Sequence, residues 1–94
     1  MDYKIIYEYD TERNEDEAEW KGFRSDVVVE INDKLLNVYI TTAVRLMQDA
    51  TTEIDENGYY ESIPNTIIVD NVTKDRIEYT IKKLVERGYF DKIN

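Results

Sequence analysis

The side chains available for chemistry in this chain are carboxylates, tyrosines and lysines, because its 94 residues include no histidine and no cysteine. The usual general base near neutral pH is therefore missing. So are the usual ligands of zinc, haem and iron–sulfur centres, and no disulfide or thiol chemistry is available. Gly22, Gly58 and Gly88 stand too far apart to form a phosphate-cradling loop. Carboxylates could in principle pair as they do in glycosidases, but nothing in the order of residues marks a sugar cleft. Asp55-Glu56-Asn57-Gly58 has the flavour of a calcium loop, yet it lacks the alternating ligands and the distal glutamate. The expectation is a protein with no enzymatic activity, no cofactor and no metal.

What these residues can do is bind. Between Glu8 and Glu19 stand seven acidic residues (Glu8, Asp10, Glu12, Glu15, Asp16, Glu17 and Glu19) and one basic residue, Arg13. That segment carries −6 of a net charge of −9. It ends at Trp20, and a cluster of one sign with an aromatic anchor steers an encounter and then locks it. A lone tryptophan in so small a domain also suits the core, and the segment itself suits a solvated loop. A second candidate surface is Glu53, Asp55, Glu56, Tyr59, Tyr60 and Glu61. Tyrosine offers rigid contact area with a polar tip. In an extended chain Tyr59 and Tyr60 cannot both point inward, so at least one is expected at the surface.

The charge balance selects among partners. Nucleic-acid affinity comes from Lys and Arg neutralising phosphates, so −9 argues against that class. It argues equally against anionic membranes. A basic protein partner is favoured, although acidity also serves solubility alone.

The elements that must position these residues follow from pattern. Tyr3, Ile5, Tyr7 and Tyr9 alternate with Lys4 and Glu8, which predicts a first strand. Residues 10–19 then read as a long charged connection closed by Trp20 and Phe23. Val27–Ile31 and Leu35–Ile40 predict a hairpin about Asn32-Asp33-Lys34, with Val27, Val29 and Ile31 on one face. Both strands are apolar enough to sit at the centre of a sheet. Thr41 or Thr42 caps a helix whose stripe is Val44, Met47, Ala50 and Ile54, ending at Asn57-Gly58. Its acidic C-terminal turn opposes the helix dipole.

Thr66–Val69 predicts a short fourth strand, parallel to the third by the right-handed crossover rule. Thr73 caps the final helix, with Asp75 in its first turn and Val72 placed to staple to Ile77. Ile77, Ile81, Leu84 and Val85 form its inner stripe, and Gly88 ends it. Tyr89, Phe90 and Ile93 suggest a tail that folds back. The expectation is one α+β domain over residues 1–94, in the order β-β-β-α-β-α. Its mixed four-stranded sheet would carry two helices packed on one face.

The stretch from Ser25 to Phe90 has an apolar hairpin, a Thr-capped helix, a "PNTIIV" strand and a "VTKDRIEYTIKKLVERGYF" helix. In this layout it resembles the small immunity proteins of bacterial polymorphic toxin systems, the immunity protein eight group most of all. The resemblance implies a non-catalytic inhibitor that covers the active site of a cognate secreted toxin, often a basic nuclease. That group has a prominent tryptophan, a role that would fall to Trp20. The alternatives are a structural or regulatory interaction module, such as a homo-oligomer joined through a strand edge or helix face, and a charge mimic that inhibits a nucleic-acid enzyme. No signal peptide or membrane span is legible, so a cytoplasmic location is the expectation.

Overall fold

The apolar runs pair as strands in their order along the chain. The computed structural model describes residues 2–92, and Ile93 of the expected tail lies outside them. The elements are β1 (Tyr3–Tyr7), α1 (Glu12–Lys21), β2 (Phe23–Ile31), β3 (Lys34–Thr41), α2 (Ala43–Asn57), β4 (Thr66–Ile68) and α3 (Lys74–Glu86), then a 3₁₀ turn at Tyr89–Lys92. They form an α+β domain around one four-stranded mixed sheet of order β1-β2-β3-β4. β1, β2 and β3 are antiparallel, and β4 joins β3 in parallel. No helix among the described residues is long and apolar enough to cross a membrane.

Register explains the core. Tyr3, Ile5 and Tyr7 face Ile31, Val29 and Val27, and Val29 and Val27 in turn face Leu36 and Val38. With side chains alternating along each strand, these residues share one face with Ile40 and Ile67. Val69, Val72, Ile77, Ile81 and Phe90 close over that face, joined by Ala18 from α1. Two helices therefore pack on one face, as anticipated, but they are α1 and α3. The hairpin turns on Asn32 and Asp33 alone, at φ 53° and 61°. Two consecutive left-handed residues make the mirror-image turn whose twist suits paired strands.

α3 follows its pattern closely. Thr73 Oγ1 accepts from the Arg76 amide at 3.2 Å, Asp75 lies in the first turn and Lys83 in the last. Val72 and Ile77 are both buried, as a staple across the N-cap requires. Thr73→Ala removes this cap and is expected to lower stability by about 1 kcal/mol, read as a lower urea midpoint at unchanged slope.

Two expectations need correction. Residues 10–19 are not a loop, because α1 runs from Glu12 to Lys21. Thr11 caps it by accepting from the Asn14 amide at 3.0 Å. Glu12 and Glu15 stand in the first turn, where negative charge is favoured. Glu17 pairs with both Arg13 and Lys21 at i±4 spacing. Gly22, at φ 83°, ends the helix in a conformation that few other residues adopt readily.

The second correction concerns α2. It is capped by Thr42 and stopped by Gly58 as expected, but it contributes no buried residue to the core. Val44 is 69% exposed, Met47 71% and Ile54 50%. The residues turned toward the domain are Arg45, Leu46, Asp49 and Ala50, all half-buried. Arg45 lies 4.7 Å from the Phe23 ring centroid, and Phe23 stacks against Tyr39. Phe23 and Tyr39 alternate with the inward-facing Arg24, Val38 and Ile40, so α2 begins on the face away from the core.

Candidate partner-binding surface

The acidic residues of α1 divide by what holds them. Asp10 is bound by Lys74 and lies 3.9 Å from Arg24, and Glu15 is 4.0 Å from Lys74. Glu17 is shared by Arg13 and Lys21, and the bonds from Arg13 and the charge of Lys21 hold its carboxyl below the usual range. Glu12, Asp16 and Glu19 are exposed and have no ion-pair or hydrogen-bond partner among the described residues.

These three stand at i, i+4 and i+7, with Trp20 at i+8, so they share one side of the helix. The opposite side presents Ala18 to the core. Trp20 is 87% exposed. The structure thus joins three free carboxylates and an uncovered indole in one outward strip, and it removes Trp20 from the core.

Why the strip points outward was not legible from sequence. The register of β2 on β3 shifts between Arg24 and Val27, and there Arg24 and Asp26 are both buried. Arg24 Nε donates to Asp26 Oδ1 at 2.6 Å and its Nη2 to Oδ2 at 3.1 Å, the two-pronged geometry in which Arg and carboxylate bind best. Asp26 Oδ2 also accepts from the Tyr9 amide at 2.9 Å. Burial alone would raise the Asp26 carboxyl, but the Arg24 and Tyr9 bonds and the Arg24 charge outweigh it and hold the group below its ordinary value. The Tyr7 ring lies under the Arg24 guanidinium at 4.5 Å and near the Lys74 ammonium at 5.0 Å. Burial, aided by Glu78, pushes the Tyr7 phenol far up, so it stays neutral.

This cluster fixes the entry to α1. The Tyr9 amide is held by Asp26, its carbonyl accepts from Asn14 Nδ2 at 2.6 Å, and Asp10 is tied to the start of α3 through Lys74. Arg24, Asp26, Tyr7 and Lys74 are positioning residues for the acidic strip. The signal available in sequence was an Arg and an Asp two apart, directly before the apolar run Val27–Val29.

The second expected group lies elsewhere. Asp55 and Glu56 occupy the last turn of α2, exposed and without a basic residue nearby on the helix. Tyr59 is exposed and Tyr60 half-buried, as adjacency required. Tyr59, Tyr60 and Glu61 border a shallow polar groove with Arg45, Asp49 and Glu53. Among the described residues no hydrogen bond, ion pair or ring contact joins this group to α1. They are two surfaces. Among the described residues, no three carboxylates converge as a metal ion would need.

Compared with protein-family models, with curated proteins and with solved structures, the chain finds no match in any of the three.

Proposed function

We propose that this chain is a non-catalytic binding protein that neutralises a basic toxin domain by laying α1 across its active site. The observation that carries the reading is the exposed Trp20 beside the unpaired Glu12, Asp16 and Glu19. Large aromatics left uncovered on a rigid helix are the usual anchors of interfaces. Carboxylates with no internal partner keep their charge for attraction at a distance, whereas Asp10, Glu15 and Glu17 are already partly neutralised within the fold. The resemblance to immunity proteins supports the same reading, with the partner a secreted toxin encoded beside this chain.

The test uses the C-terminal domain of the protein encoded next to this one, with association followed by stopped flow across a salt series. Changing Glu12, Asp16 and Glu19 together to Gln is expected to slow association about tenfold or more at low salt. The difference should close at high salt. Trp20→Ala is expected to speed dissociation by roughly 30-fold or more, the signature of a hot-spot anchor. Neither change should lower stability by more than about 1 kcal/mol, since none of the four side chains is buried and only Glu12 supports the helix start. Association unchanged by the triple substitution at any salt would remove α1 from the mechanism.

A further inference from the structure

We infer that the outward face of α2 is a self-association seam, and that two copies of this chain pair through it as an antiparallel helical dimer. The inference stands apart from the role of α1. It begins with an inversion. A surface helix ordinarily turns its apolar stripe to the core and its charges to water. Four of the five charged residues of α2, Arg45, Asp49, Glu53 and Glu56, recur at spacings of four, four and three, so they share one side, and the fifth, Asp55, lies off it. That side begins over the sheet, where Arg45 and Asp49 pair at 3.0 Å and are half-buried. Val44, Met47, Thr51 and Ile54 lie on the other side, exposed.

Their spacing of three, four and three is that of alternating a and d positions in a coiled coil. Counting from Val44 as a, the flanking e and g positions are Ala43, Gln48, Ala50, Asp55 and Asn57. Only Asp55, at one end, is charged. In a chain of net charge −9, a seam and flanks so nearly free of charge are what a second copy requires, because like charges across a self-interface are destabilising.

The direction follows from the ends. α2 has no acidic residue in its first turn and no basic residue in its last, so its dipole is uncompensated at the start and opposed by Asp55 and Glu56 at the finish. An antiparallel pair centred near Asp49 sets Val44 against the other copy's Ile54 and Met47 against its Thr51. It also sets Asp55 beside the other copy's first turn, at Ala43. The acidic C-terminus then meets the free amides of a helix N-terminus, where negative charge is favourable. A parallel pair would instead place both acidic ends together.

Two heptads from each copy make a small interface, so the dimer is weak and concentration-dependent. The test is sedimentation of the full chain over a concentration series. Apparent mass is expected to rise from 11.2 kDa toward twice that value. Added salt should strengthen the dimer, because it screens repulsion between two acidic bodies. Met47→Glu is expected to leave a folded monomer at every concentration, and Thr51→Leu to tighten association at least about tenfold. With no native cysteine, Gln48→Cys should form an intermolecular disulfide and Val44→Cys should not. A monomer at all concentrations and salts, or a dimer indifferent to Met47→Glu, would overturn the seam. Efficient disulfide formation through Val44→Cys alone would overturn the antiparallel arrangement.

Discussion

Arg24→Ala is expected to destabilise the domain by about 3–5 kcal/mol, and Asp26→Ala by a similar amount, because each leaves its partner buried and unpaired. Against a total of roughly 5–15 kcal/mol for a small domain, either loss brings the protein close to unfolding at room temperature. The pair itself need not be a strong stabiliser, since the cost of dehydrating both ions offsets much of their attraction. Combining Arg24→Met with Asp26→Asn, which keeps an acceptor for the Tyr9 amide, should therefore recover most of the loss. Urea unfolding of the two single variants and the double variant measures this directly. Single losses under about 1 kcal/mol would mean that water reaches the pair.

The same cluster sets both ends of the pH profile. The Asp26 carboxyl lies lower in the folded chain than in the unfolded one. Its contribution is complete above the unfolded value of about 3.9 and is lost as pH falls through the folded value. The Tyr7 phenol is raised by burial, so the folded state holds its proton more tightly. That contribution is complete below the unfolded value of about 10 and is lost as pH rises beyond it. Stability measured from pH 2 to 11 should show an acid limb that Asp26→Asn flattens and an alkaline limb that Tyr7→Phe flattens. An acid limb unchanged in Asp26→Asn would assign it to other carboxylates.

Ile77→Ala and Ile81→Ala are each expected to cost about 2–5 kcal/mol, from lost burial and the cavity left behind. Both side chains are fully enclosed between α3 and the sheet. Val44→Ala and Ile54→Ala on α2 remove comparable atoms from solvent-facing positions and should change stability by roughly 0.5 kcal/mol or less in dilute protein. The contrast between two helices with similar apolar content separates them by role. α3 holds the fold together, and α2 presents a surface. Equal losses on the two helices would show α2 packed inward.

Much of the sheet could be read before the structure. β2 and β3 announce themselves through β-branched runs around an Asn-Asp turn. α3 carries its cap, staple and stop in order, so local and tertiary preferences agree there. α1 was missed because its periodicity is in charge. Ala18 is its one buried residue, and hydrophobic spacing, the main guide to helices, had little to register. Thr11, the early glutamates and Gly22 were the available signals. The orientation of α2 was misread for the opposite reason. Its stripe is clear, but a stripe says which side is apolar and not what covers it. The Arg24–Asp26 pair depends on a local shift of register, which alternation cannot foresee. Of the candidate site, the exposure of Trp20 was open in the sequence, since a lone tryptophan suits the core equally, and only the fold places it outside. Which of the acids of α1 are free depends on Lys74 and Arg24, brought close only by folding.

The two-residue turn at Asn32 and Asp33 has a kinetic consequence. Closing so short a loop costs little chain entropy, and an isolated hairpin forms in roughly 1–10 μs. Strands β2 and β3 can thus assemble first, with β1 and β4 added at either side across the connections that hold α1 and α2. Sheet neighbours are also sequence neighbours, so no strand waits for a partner from the far end of the chain. Only the β2–β3 pairing is local, however: Tyr3 meets Ile31 and Tyr39 meets Thr66, so β1 and β4 each close a longer loop before they pair. Both proposed binding surfaces, on α1 and α2, lie within those two connections and outside the hairpin that can form first.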